Sequence, residues 1–172
     1  MKRLHNANHE DRREIAPMAA VAAWPTHRVF NCTVEILHSY ENTSGPNAVY
    51  VTDYTANLHT SPTQANWCSR ELSAYVFKIE MWDHAGRLAT TMQPGEFWSL
   101  PNTRVMGDSY CYIYGKLVET HKSKKLDEVQ NSENLHFRAL LERKKMFQQG
   151  EGGSSGRFDK KLVEDVDKEV AG

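Results

Sequence analysis

Tyr50, Thr52 and Tyr54 recur at every second position of the stretch Ala-Val-Tyr-Val-Thr-Asp-Tyr-Thr, with Val49 and Val51 between them. Rings and hydroxyls on one face of a strand make a wall on which flat, polar-edged ligands stack, and nucleobases are such ligands. The plainer reading is that these tyrosines pack beneath a loop or helix. Lys78, Glu80 and Trp82 share a second alternating row, which sets a cation and an indole beside the tyrosines if the two strands pair. On such a surface Tyr50, Tyr54 and Trp82 supply stacking faces. Lys78 donates to a phosphate or a guanine O6, and Thr52 offers a hydroxyl to a base edge. Arg104 is a further candidate cation. Asp53 either meets a base or, as Asp-x-Thr at a strand end, caps a turn. Trp67 either folds over a bound strand or pins the long loop that carries it.

Catalysis finds little support. The eight histidines are dispersed, and neither a Cys-x-x-Cys nor a His-Glu-x-x-His spacing offers a metal site. Asp53 and Asp83 are the one carboxylate pair that adjacent strand ends bring near each other, and no glycine-rich phosphate loop or nucleophile elbow accompanies them. The expectation is a binding module without a cofactor or a metal.

The elements that position these residues read as strands. Phe30, Cys32, Val34 and Ile36 alternate with polar neighbours and Leu37 in a first strand over 28–39. The breaker-rich segment 41–47 joins it to the second strand as a hairpin. A long polar connection, 56–73, precedes a third strand over 74–82, with Tyr75, Phe77, Ile79 and Met81 on the inner parity. A short helical piece at 87–92 follows, closed by Pro94-Gly95. A fourth strand, 96–105, is interrupted at Pro101, which suits an edge or a bulge. The fifth, 110–117, turns Tyr110, Tyr112 and Tyr114 away from Cys111 and Ile113. Five strands with a helical insert between the third and fourth is the order of an OB-fold, whose groove lies on strands two and three and the adjoining loops. The predicted fold class is therefore all-β with flanking helices, a five-stranded OB-fold barrel with a C-terminal helix. Ser132-Glu133-Asn134 caps that helix, and Phe137, Leu140, Leu141 and Phe147 form its stripe. Arg143, Lys144 and Lys145 read as the solvated face rather than a phosphate contact. The domain runs over 26–148, between flexible segments at 1–25 and 149–172.

Composition limits the possibilities further. A net charge of -1 on 172 residues argues against a binder relying mainly on phosphate neutralisation. With a mean hydropathy of -0.64 and no apolar run near 20 residues, no membrane span is expected. The three cysteines are scattered, and Cys32 and Cys111 read as reduced core residues.

Val49 to Thr55, Met81-Trp82-Asp83-His84, Pro94-Gly95-Glu96-Phe97, Asn102-Thr103-Arg104-Val105 and Cys111-Tyr112-Ile113-Tyr114-Gly115 together resemble the second OB domain of fungal protection-of-telomeres proteins. The likeness covers about residues 28–148, and Tyr-Val-Thr-Asp-Tyr-Thr is its specific part. It implies binding of single-stranded, G-rich telomeric DNA (the 3′ overhang) at the chromosome telomere in the nucleus. Its implied partners are a preceding, more selective OB domain of the same protein and other telomere-capping proteins of the shelterin kind. Such a first domain is not visible in this sequence, which reads as an excised domain. The family's Trp-Asp carries one more residue before its His, whereas His84 follows Asp83 directly. The alternative function is a protein-binding OB domain that holds a partner's peptide in the same groove.

Overall fold

The computed structural model describes residues 16–21, 25–57, 59–110 and 112–150. Its centre is β1 (Val29–Tyr40), which buries Phe30, Cys32, Val34 and Ile36 and pairs antiparallel with both β2 (Asn47–Thr52) and β4 (Phe97–Gly107). β3 (Phe77–Met81) pairs antiparallel with β2 and parallel with β5 (Ile113–Leu117), which returns antiparallel to β4. The order β1-β2-β3-β5-β4 therefore closes through β1–β4 into a five-stranded barrel, the OB topology. Phe30 and Phe77 meet edge to face inside it. Gly115 lets β5 pass close to the core, because a Cβ there would lie 2.9 Å from Phe77 and 3.0 Å from Thr103.

Two bulges set which side chains face out. Ile36 pairs with Val51 but His38 with Tyr50, so Leu37 is an extra residue on β1. That insertion reverses the parity of the strand, and His38 and Tyr40 leave the inner set that Phe30 to Ile36 define. On β4, Leu100 pairs with Cys32 and Thr103 with Phe30, with Asn102 at a φ of 65°. Pro101 thus marks a bulge in a strand paired on both sides, not an edge.

Several boundaries move from those read in the sequence. Ser73–Tyr75 form a 3-10 turn, which delays β3 to Phe77. The insert helix α2 comes earlier, at His84–Ala89, and closes one barrel end with Ala85, Ala89 and Met92. Tyr110 and Tyr112 belong to a turn rather than to β5, because Asp108 Oδ1 accepts both of their backbone N–H groups. The basic connector contains a short strand, β6 (Lys124–Leu126), paired with β4. The expected tail at 1–25 is in part packed structure. Met18 and Val21 of the one-turn helix α1 (Met18–Val21) are fully buried in the barrel's core. The expected tail at 149–172 lies outside the described residues from position 151 onward, as does Cys111.

The C-terminal helix, α3 (Leu135–Gln148), is capped by Asn134, whose side chain accepts from the Phe137 N–H. Its Phe137 and Leu140 form a second core with Tyr54, Phe97 and Leu126. Its cations are not simply solvated. Arg143 Nε donates to the Asp53 carbonyl at 2.7 Å, and Lys144 Nζ lies 2.8 Å from a carboxylate oxygen of the buried Glu35. No helix among the described residues is long and apolar enough to cross a membrane.

Candidate nucleic-acid interface

Register places two rows of side chains on the outer face of the barrel. Tyr50 stands between His38 of β1 and Lys78 of β3. One step along, Tyr40, Ala48, Glu80, Lys116 and Arg104 run across five strands. The connection between β2 and β3 folds back over the first row. It is held by the Asn57 N–H to the Ala74 carbonyl (2.9 Å), the Ser73 hydroxyl to the Thr63 carbonyl (2.9 Å) and the Ile113 N–H to the His59 carbonyl (2.9 Å). Trp67, carried by this loop, stacks on His38 with centroids 4.9 Å apart and planes 9° apart, and lies 5.0 Å from the Tyr50 ring.

Between sheet and loop opens a groove of about 560 Å³, whose walls include His38, Tyr40, Tyr50, Trp67, Tyr112 and Tyr114. Lys78, Glu80 and Asp108 supply its charges, and residues 60–65 its polar rim. Burial, and after it the neighbouring Tyr40, push the Tyr50 phenol above its ordinary pKa. Tyr114 is raised as well, by burial first and then by Glu80 and Asp108. Both rings are therefore neutral stacking partners at physiological pH.

The sequence-predicted residues divide on this geometry. Tyr50, Lys78 and Trp67 come together in the groove. Trp82 lies two residues beyond Glu80, at 37% exposure, in a separate recess of about 480 Å³ beside the turn 45–47. Lys116 Nζ sits 4.9 Å over its ring. Arg104 is exposed on β4 and does not line the groove.

Thr52 and Tyr54 depart from the expected wall, and Asp53 is tied up beside them. Thr52 is fully buried, and its Oγ1 accepts from the Tyr54 N–H at 3.0 Å. Tyr54 turns inward at a φ of 60° and packs on Phe147 of α3. Its hydroxyl donates to Glu35, and burial together with that carboxylate holds the phenol far above its ordinary pKa. Asp53 caps turns, as the second of its two readings has it: Oδ2 accepts from the Met18 N–H at 2.8 Å and Oδ1 from the Thr55 N–H at 3.0 Å. Two elements account for this: α3, which packs on Tyr54 and binds the Asp53 carbonyl through Arg143, and α1, whose Met18 N–H meets the Asp53 carboxylate, so the end of the expected wall is an interface instead.

Sequence reasoning missed His38, Tyr40, Tyr112 and Tyr114 as groove residues. For the last two the signal was present, since their parity is shared with Lys78 once β3 and β5 are neighbours, as an OB order requires. For His38 and Tyr40 it was not, because the Leu37 bulge is invisible in the alternation of types. Among the described residues no group of three His, Cys, Asp or Glu is placed to hold a metal ion.

No protein-family model matches the chain. No curated protein matches it either. Solved structures do. Schizosaccharomyces pombe Pot1pC bound to ssDNA (CGGTTACGGT) is similar with a TM-score of 0.63 at 16% identity, over 78% of this chain and 99% of that one. Fission yeast Pot1 with ssDNA gives 0.62 at 16% identity, over 77% of this chain and 45% of that one. The likeness is one of fold.

Proposed function

We propose that the domain binds single-stranded DNA of the G-rich telomeric kind in the groove between Tyr50, Lys78 and Trp67, tolerating much sequence variation. In this reading it acts at the 3′ overhang in the nucleus, beside a preceding OB domain and other end-capping proteins, and contributes to chromosome end protection. The observation that carries it is the aromatic lining of the groove, with one central cation, on the face where OB barrels take extended ligands. Two similar folds that hold single-stranded DNA support it.

Fluorescence anisotropy with a labelled G-rich oligonucleotide tests the reading. Binding tighter than about 10 μM at moderate salt is expected, and its absence would favour a protein-binding groove instead. Glu80 and Asp108 in the lining give that second reading its own support, since carboxylates suit a basic peptide. RNA of matched sequence should bind more weakly, because each 2′-hydroxyl adds bulk where a sugar packs on a ring. Equal affinities would show that the domain does not discriminate between the two.

A further inference from the structure

We propose that Glu80 is a specificity-determining residue that reads guanine, with Lys78 as its donor partner; the inference rests on the single-stranded DNA reading above. A carboxylate in a groove that receives a chain of phosphates repels its ligand unless it meets a base and not the backbone. Two carboxylates line this groove. Asp108 is committed to the turn, with Oδ1 accepting from the Tyr110 and Tyr112 N–H groups at 2.8 and 3.0 Å.

Glu80 is held differently. Lys78 Nζ lies 3.8 Å from Oε2, and Trp82 Nε1 donates to Oε1 at 3.4 Å. Both contacts are at the long end of their range, so each oxygen retains a direction in which to accept. The side chain is 22% exposed, fixed on a paired strand yet open to a ligand.

The Watson–Crick edge of guanine carries two adjacent donors, N1–H and N2–H, beside one acceptor, O6. Its complement is a carboxylate next to an ammonium, which is what Glu80 and Lys78 present. Adenine offers one donor beside an acceptor, cytosine one donor beside two acceptors, and thymine one donor flanked by two acceptors. None of them satisfies both carboxylate oxygens, and each sets at least one acceptor against a carboxylate. Stacking faces flank the pair. Tyr40 and Tyr114 line the groove with it. Lys116, the cross-strand neighbour of Glu80, supplies a cation for the adjoining phosphate.

The test is an anisotropy series on the full chain with a G-rich oligonucleotide in which each guanine is replaced in turn by adenine, hypoxanthine or 7-deazaguanine. At one guanine position, adenine should weaken binding about tenfold or more and hypoxanthine, which lacks only the N2 amino group, about threefold or more. Loss of N7 should have no effect there, because N7 is not on the edge Glu80 meets. Glu80→Gln, an isosteric change at the surface of a strand, should bring the guanine-to-adenine ratio at that position within about threefold, since an amide pairs with either base. Insensitivity to hypoxanthine at every position overturns the inference, as does a Glu80→Gln protein that keeps the full ratio. The hypoxanthine scan needs no variant and decides even if Glu80→Gln folds poorly. A chain that binds the oligonucleotide with no guanine preference overturns this inference alone, whereas a chain that binds no DNA overturns the underlying reading with it.

Discussion

Trp67 forms one wall of the groove from a loop, and its ring packs on those of His38 and Tyr50. A stacking partner on a loop closes over a base with little rearrangement of the sheet. Trp67→Ala and Tyr50→Ala are each expected to weaken single-strand binding about tenfold, the scale of one base-aromatic stack, with the melting temperature nearly unchanged. Anisotropy paired with thermal melts checks this, and unchanged affinity in both variants would remove the stacking groove. Tyr54 should behave in the opposite way. Tyr54→Phe removes the hydroxyl that donates to buried Glu35, which should cost on the order of 1–3 kcal/mol of stability and leave DNA affinity intact. In the alternation of types Tyr50 and Tyr54 are equivalent, and nothing local to the sequence distinguishes them. What does is a helix some 80 residues later that covers one and not the other. The cysteines offer a further contrast. Burial pushes the Cys32 thiol up to about 12, whereas Cys68, next to Trp67, is only partly covered. A thiol reagent should label Cys68 in the folded chain and Cys32 only after unfolding. Mass mapping of the labelled peptides reads this, and early modification of Cys32 would contradict its placement.

At the scale of elements, the joint between α3 and the barrel rests on two cations that a sequence reading assigns to solvent. A run such as Arg143-Lys144-Lys145 is normally a helix's wet face, but the buried carboxylate of Glu35, 109 residues away, and the Phe97 ring, 5.2 Å from its Nζ, draw Lys144 inward. Glu35 itself sits on the polar parity of β1, where the alternation of types does not set it apart from Asn31 and Thr33. Lys144→Ala leaves that carboxylate buried with Tyr54 as its remaining donor, so a loss of about 2–4 kcal/mol is expected. Urea denaturation measures it, and adding Glu35→Gln to Lys144→Ala should recover part of the loss; a Lys144→Ala protein as stable as the parent would show that the joint is apolar alone. The barrel strands were legible because each carries a period-two core row, from Phe30 to Ile36 or from Phe77 to Met81. Their pairing order followed from the OB pattern. The bulge at Leu37, the three-residue β6 and the docking of α1 were not legible, because each depends on contacts made only after the barrel has closed.

For the whole molecule, charge decides how the groove can hold a polyanion. Between Thr26 and Val118 there are six cations (Arg28, Arg70, Lys78, Arg87, Arg104, Lys116) against eight anions (Glu35, Glu41, Asp53, Glu71, Glu80, Asp83, Glu96, Asp108). On the sheet face itself the cations are three, Lys78, Lys116 and Arg104, with Glu80 among them, which limits the phosphates that this face can neutralise to two or three. The basic run of α3 does not make up the difference, because Arg143 and Lys144 are tied to Asp53 and Glu35. Affinity must then come mainly from stacking, which salt does not screen. With two or three phosphates neutralised at about 0.7 ions each, log affinity against log salt should fall with a slope of roughly -2. The same balance predicts that most single-base changes cost under about 1 kcal/mol, since a ring accepts any base. Titrations at several salt concentrations, with each base substituted in turn, measure both quantities. A slope steeper than about -5 would require more phosphate contacts than the sheet cations can supply, and would bring in Lys122, Lys124 and Lys145 from outside the groove.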